Sequence, residues 1–152
     1  MQEQTRPWEI MLVEDNPADV RLTQEALSEL KVSHRLQLAG DGIAALKHLT
    51  SAISDGTGNR PDLILLDLNL PLMGGLEVLS VIKSSDCLKS IPVIIMSSSA
   101  AKDDVSAAYR LNANGYTQKP LDMEEFIRAM EAICRFWLGT ALLPAAPARK
   151  LH

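Results

Sequence analysis

Short apolar runs alternate along the chain with longer segments of helical spacing, the order expected of βαβ units and of helices packed on a parallel sheet. The runs fall at residues 8–13 (WEIMLV), 35–39 (RLQLA), 62–66 (DLILL), 92–96 (PVIIM) and, weakly, 115–118 (GYTQ). The third and fourth are apolar almost throughout, as strands covered on both faces are, and are expected at the centre of the sheet. Between the runs, Val20, Leu27 and Leu30 share one helical face with Thr23 filling the turn, and Ile43, Leu46, Leu49 and Ile53 recur three and four apart. Shorter helices are predicted at 76–83 and 103–111. A long one is predicted from Asp122 to about Leu138, with Met123, Phe126, Ile127, Met130, Ile133 and Trp137 on one stripe.

Segment ends carry matching punctuation. Asn16 before Pro17 offers an N-cap with proline at the first helical position, and Asp122 with Glu125 three residues later resembles a capping box. Residues 54–61 (SDGTGNRP) form a polar connection, and 144–152 (PAAPARKLH) have the composition of a loose tail. A length of 152 residues suits one domain. We assign 1–7 as a flexible N-terminus, 8–138 as the domain and 139–152 as a C-terminal extension and tail.

Composition narrows the class. Hydrophobic residues make up 47% and charged residues 22%, enough for a sizeable core and far from the composition of disordered chains. Aromatics are only 4%, so that core must be aliphatic. A net charge of -4 without charge blocks argues against a nucleic-acid footprint, and no stretch is apolar enough to suggest a membrane span or a leader. A cytoplasmic protein that binds neither DNA nor membrane is expected. Cys87 and Cys134 lie far apart with no Cys or His nearby, which fits neither a disulfide nor a metal spacing. Both are expected in or near the core.

In a right-handed βαβ sheet all strand C-termini share one edge, the edge where open α/β sheets bind ligands. The first strand runs into Glu14 and Asp15, the third into Asp67, the fourth into Ser97 and the fifth into Lys119-Pro120. Each residue alone has a plain reading: Asp15 and Asn16 as helix-capping polar residues, Asp67 as a strand-end turn, Ser97 as the start of a serine loop, Lys119 as a solvated lysine. Their conjunction on one rim points to chemistry instead. Converging carboxylates repel one another, and a small hard cation with oxygen ligands relieves the repulsion; Mg2+ prefers one or two carboxylates plus a phosphoryl oxygen. An acidic cluster beside a lysine and a hydroxyl therefore reads as a place where a phosphoryl group is received on Asp.

The segments MLVEDNPADVRL, PDLILLDLNLPLMGGLEVL, IPVIIMSSSA and NGYTQKPLD, in that order over residues 8–133, resemble the receiver domain of two-component response regulators. The resemblance implies an α/β flavodoxin-like fold, a doubly wound five-stranded parallel sheet of order 2-1-3-4-5 with five helices, Mg2+ or Mn2+ dependence, and phosphorylation by the phosphohistidine of a histidine kinase. By position, Asp67 looks like the phosphoacceptor. Glu14 and Asp15 look like the acidic metal pair, and Asn69 like the residue whose backbone carbonyl completes the metal shell. Ser97, Lys119 and Tyr116 occupy the places of the switch hydroxyl, the lysine and the aromatic switch, and Asn69 and Ser99 those of residues that tune phosphoryl lifetime. In the family's logic the phosphoryl group draws Ser97 inward and Tyr116 follows, reshaping the face of the fourth helix, fifth strand and fifth helix. A cis bond before Pro120 is expected on the same ground.

The connection ending NRPDLILLDLNLP and the C-terminal FWLGTALLP look like the small single-receiver regulators paired with bacterial and cyanobacterial phytochromes, so a phytochrome-type histidine kinase is the expected partner. Phe136 and Leu138 fall off the stripe shared by Met130, Ile133 and Trp137. Phe136, Trp137 and Leu138 either pack on their own domain or form a homodimer contact through the helix 4, strand 5, helix 5 face. Three other readings compete. An Asp-nucleophile phosphatase of the haloacid-dehalogenase kind needs a second Asp two residues beyond the nucleophile, where Asn69 stands. A flavodoxin-like binder needs a hydroxyl-rich phosphate loop where EDNPAD stands. A phosphorylation-independent receiver-like interaction module would be expected to lack the acceptor or the acidic pair, and this chain keeps both. The expected role is that of a phosphoacceptor, not an enzyme with an external substrate.

Overall fold

The computed structural model describes residues 6–55 and 59–144. Five strands, β1 (Trp8–Val13), β2 (His34–Ala39), β3 (Leu63–Leu66), β4 (Val93–Ser97) and β5 (Gly115–Gln118), form one parallel sheet of order β2-β1-β3-β4-β5. The helices are α1 (Pro17–Leu30), α2 (Gly42–Asp55), α3 (Gly75–Ser84), α4 (Lys102–Arg110) and α5 (Met123–Arg135), the last running into a π-helical turn, Phe136–Thr140. This is the expected doubly wound α/β architecture.

The alternation of strand side chains divides the core in two. Ile10, Leu12, Leu63, Leu65, Ile94 and Met96 face α1 and α5, where Leu27, Phe126, Met130 and Cys134 meet them. Met11, Val13, Ile64, Leu66, Val93 and Ile95 face α2, α3 and α4, against Leu49, Val78, Leu79, Ile82 and Ala108. β3 and β4 are buried along their whole length and sit inside the sheet, as their sequences demand. β1 is the third interior strand, and its Glu9 is buried because Arg35 and Gln37 of the neighbouring β2 hydrogen-bond its carboxylate.

Several expectations need correcting. Ile43 and Met123, placed on buried stripes, are exposed because each stands in the first turn of its helix, at the rim of the sheet; Ala45 and Ala52 fill the α2 face instead. Cys134 is buried but Cys87 is exposed, lying between α3 and β4 outside both core layers. Arg6 forms a bidentate pair with Asp62; of the expected N-terminal segment 1–7 and tail 139–152, residues 1–5 and 145–152 lie outside the described residues, as do 56–58. No cis peptide occurs among the described residues, so Lys119-Pro120 is trans, the form an X-Pro bond intrinsically prefers by about 0.5–1 kcal/mol.

Leu138 is 7% exposed and joins the α1/α5 core layer, which removes it from the candidate dimer residues. On an ideal α-helix it would run about 40° ahead of Cys134 in the row Phe126, Met130, Cys134. The Phe136–Thr140 turn closes from the Ala141 amide to the Phe136 carbonyl, an i→i+5 bond that puts more residues into the turn and slows its rotation. Leu138 thereby stays on the buried side. Trp137 is half-buried against the same layer, and Phe136 remains 50% exposed, its ring edge-on to Trp137 at 5.2 Å.

Candidate functional site

The site residues stand one step beyond the strands that carry them, and the sheet's own hydrogen bonds fix them there. The Asp67 amide donates to the Val13 carbonyl at 3.1 Å, the Glu14 amide to Ala39 at 3.0 Å and the Lys119 amide to Ser97 at 2.7 Å. Backbone pairing thus extends to the rim and aligns the C-terminal ends of β1, β3, β4 and β5. The neighbouring loops are shaped to serve them. Asn16 caps α1 through its side-chain oxygen, receiving the Ala18 and Asp19 amides, and its own amide donates to Glu14 Oε2 at 3.2 Å. Behind Asp67, the start of α3 approaches so closely that a Cβ on Gly75 would land on the Asp67 carbonyl and the Leu68 Cα, so glycine is required.

Glu14, Asp15 and Asp67 offer carboxylate oxygens within 4.8 Å of one another. Glu14 and Asp67 are buried, while Asp15 is exposed at the mouth. Lys119 compensates the charge: its Nζ is 2.8 Å from Glu14 Oε1, 2.8 Å from Asp19 Oδ2 and 3.5 Å from Asp67 Oδ2. Burial is the main cause that raises the Glu14 carboxyl to about 7; its Lys119 hydrogen bond opposes the rise, and the charge of Asp67 adds to it. Burial also works against the Lys119 charge, but hydrogen bonds to Asp19 and Glu14 and the charges of Glu14 and Asp67 outweigh it and hold its pKa above the ordinary lysine value. Lys119 is therefore a permanent cation among acids. The donor set, hard carboxylate oxygens open to solvent on the Asp15 side, fits a divalent cation that keeps several waters.

Ser97, at the end of β4, is buried, and its Oγ accepts the Ser99 amide at 3.1 Å. Tyr116 of β5 points inward, packs against the α2–α4 core layer and donates its hydroxyl to the Ser99 carbonyl at 2.9 Å. Asn69 is exposed, with its amide 3.3 Å from Asp67 Oδ1. Every residue predicted for the cluster lies on one rim.

Sequence reasoning missed Asp19. In the third helical position of α1 it reads as an ordinary first-turn acid complementing the helix dipole. Four residues beyond Asp15 and one turn into the helix, it faces back across the rim to Lys119, and that spacing was the available signal. Asp104 was missed in the same way; its carboxylate accepts the Ser99 hydroxyl at 2.6 Å.

Residues 10–131 match the response regulator receiver domain. The chain is 43% identical over 144 residues to the response regulator Rcp1 of Synechocystis sp., covering 95% of this chain and 98% of that protein. Among solved structures, the phosphorylated cyanobacterial phytochrome response regulator RcpA superposes with a TM-score of 0.86 at 44% identity, covering 91% of this chain and 99% of that one. The Mn2+-bound form of Rcp1 superposes at 0.85 with 43% identity, over 91% of this chain and all of the other. Among the described residues no helix is long and apolar enough to cross a membrane. This chain belongs to the response regulator receiver domain family.

Proposed function

We propose that the chain is a response regulator whose Asp67 accepts a phosphoryl group from a histidine kinase, and that phosphorylation resets a surface for partner binding. The observation that carries this reading is the convergence of Glu14, Asp15 and Asp67 within 4.8 Å, with Lys119 bonded across them. An Asp67 oxygen attacks phosphorus, the bond from phosphorus to the kinase imidazole nitrogen breaks, and that nitrogen keeps the electron pair and takes up a proton. Glu14, Asp15, Asp67 and the Asn69 backbone carbonyl would hold Mg2+ or Mn2+, which would neutralise the phosphoryl oxygens. Lys119 and Ser97 take oxygens that remain. Asn69 and Ser99, two residues beyond the acceptor and the switch serine, set the lifetime of the product.

Likeness to phytochrome response regulators over nearly the full length supports a phytochrome-type kinase as the donor. Nothing in this chemistry turns over an external substrate beyond the donor, and the domain spans residues 8–138. For a homodimer through α4, β5 and α5, the support is Phe136, half-exposed beside Trp137 at the end of α5. Sedimentation showing only monomer at tens of micromolar overturns the dimer.

The central test is incubation with Mg2+ and acetyl phosphate followed by intact mass. One added phosphoryl group in the wild type, absent in Asp67→Asn, is expected. An unchanged wild-type mass, together with no transfer from a phosphorylated phytochrome kinase, overturns the reading.

A further inference from the structure

Ser99 is the meeting point of three elements. Its amide donates to Ser97 Oγ at 3.1 Å, its carbonyl accepts the Tyr116 hydroxyl at 2.9 Å, and its own hydroxyl donates to Asp104 Oδ2 at 2.6 Å while accepting the Ala101 amide at 3.1 Å. Asp104 stands in the first turn of α4 and is not one of the carboxylates paired with Lys119, which are Glu14, Asp19 and Asp67. The helix has no side-chain cap of its own, since Ala101 occupies the cap position. A hydroxyl-to-carboxylate bond of this length is of the strong, charge-assisted kind. It therefore fixes where the Ser99 carbonyl sits, and that carbonyl is what Tyr116 needs in order to stay inward.

We infer that Asp104 is a positioning residue of the switch: through the Ser99 hydroxyl it anchors the loop between β4 and α4 in the conformation that keeps Tyr116 inward. The loop is then a two-state element. With the anchor in place the Ser99 carbonyl is presented to Tyr116 and the Ser99 amide to Ser97 together. With the anchor gone, neither contact is held by more than a flexible segment, and the tyrosine loses its reason to stay. The consequence for phosphorylation rests on the role proposed for Asp67, and any ligand state that favours inward Tyr116 must in turn be favoured by the anchor.

The test uses the full chain with fluorotyrosine at its two tyrosines, Tyr109→Phe identifying the Tyr116 signal by fluorine NMR. Asp104→Ala and Ser99→Ala are each expected to shift the inward-to-outward ratio of Tyr116 by about tenfold toward outward, the weight of one charge-assisted bond on a partly buried carboxylate. The double variant adds little to either single one, because both remove the same link. Ser99→Thr keeps the hydroxyl and stays near wild type, and Asp104→Asn, which keeps an acceptor without its charge, shifts the ratio by less than Asp104→Ala. A Tyr116 signal unmoved in Asp104→Ala, or moved as far in Ser99→Thr as in Ser99→Ala, overturns the inference. In a second arm, the acetyl phosphate concentration for half-maximal phosphorylation of Asp67 rises severalfold in Asp104→Ala; an unchanged value overturns the coupling to phosphorylation. If wild type takes up no phosphoryl group while the fluorine signal shifts as stated, the phosphoacceptor role fails and the anchor stands.

Discussion

Replacing Lys119 by Met removes the cation from the acidic rim while nearly keeping side-chain volume. In the wild type one ammonium, 12% exposed, lies 2.8 Å from Glu14 and Asp19 and 3.5 Å from Asp67. Glu14 and Asp67 are 4% and 6% exposed at the side chain, so water cannot take over the lost neutralisation for either. Breaking a buried pair by deleting one partner costs about 3–5 kcal/mol. The lower end, about 3 kcal/mol, applies here because Asp19 is 19% exposed and can recruit water. Protonation sets the pH dependence. The Glu14 carboxyl already sits near 7, above its ordinary 4.5, and loss of Lys119 pushes it higher still. A carboxyl whose folded pKa is raised binds more protons folded than unfolded, so its contribution to stability falls as pH rises from about 4.5 toward the folded value. Lys119→Met should therefore show its full deficit at pH 8 and a smaller one at pH 6, each pH unit returning at most about 1.4 kcal/mol. Mg2+ should also shrink the deficit, since the rim that has lost the Lys119 charge binds a cation more tightly than the wild-type rim does, each tenfold gain in affinity returning about 1.4 kcal/mol at saturating Mg2+. Urea unfolding at the two pH values, with and without Mg2+, is the assay. A deficit below about 1 kcal/mol at pH 8, or one that ignores both pH and Mg2+, refutes Lys119 as the charge compensator of this rim.

Three further outcomes follow from the packing. Gly75→Ala forces a methyl group onto the Asp67 carbonyl, so unfolding should show a loss of about 1–3 kcal/mol and mass spectrometry a slower phosphorylation of Asp67. Leu138→Ala should cost about 2–3 kcal/mol in urea unfolding because the residue fills the α1/α5 layer, whereas Phe136→Ala should change monomer stability by less than about 0.5 kcal/mol; equal effects would contradict the register of the π turn. Iodoacetamide near neutral pH should label Cys87 in the native protein and Cys134 only after denaturation, because burial pushes the Cys134 thiol up to about 12. As the folded state keeps that proton while the unfolded chain releases it, stability should also fall as pH rises above about 9.

What could be read in the sequence was whatever period and position encode. The β3 and β4 runs announce strands covered on both faces, and a strand that ends in an ionisable or hydroxyl residue announces what stands at the rim; Glu14, Asp15, Asp67, Ser97 and Lys119 all follow from that one argument. What escaped depends on packing between elements distant in sequence. Asp19 looks like any first-turn acid until Lys119, a hundred residues later, is laid across it. Asp104 looks like a dipole-complementing acid until Ser99 turns back onto it. Ile43 and Met123 have the right spacing for a buried stripe, but each stands in a first turn that overhangs the sheet, where spacing has no core to face. Leu138 was misjudged because a constant 3.6-residue turn was assumed where the backbone widens.

That widened turn makes the end of the chain sensitive to counting rather than to composition. One residue more between Cys134 and Leu138 would leave every side chain type in place yet rotate the last anchor by roughly a hundred degrees, bringing half-buried Trp137 to the place of buried Leu138. Deletion of Gly139, whose side is open to solvent and which contributes no packing of its own, should for that reason disturb the C-terminus more than many substitutions in it. Length here acts as a vernier on which hydrophobic face the protein shows to others and which it keeps.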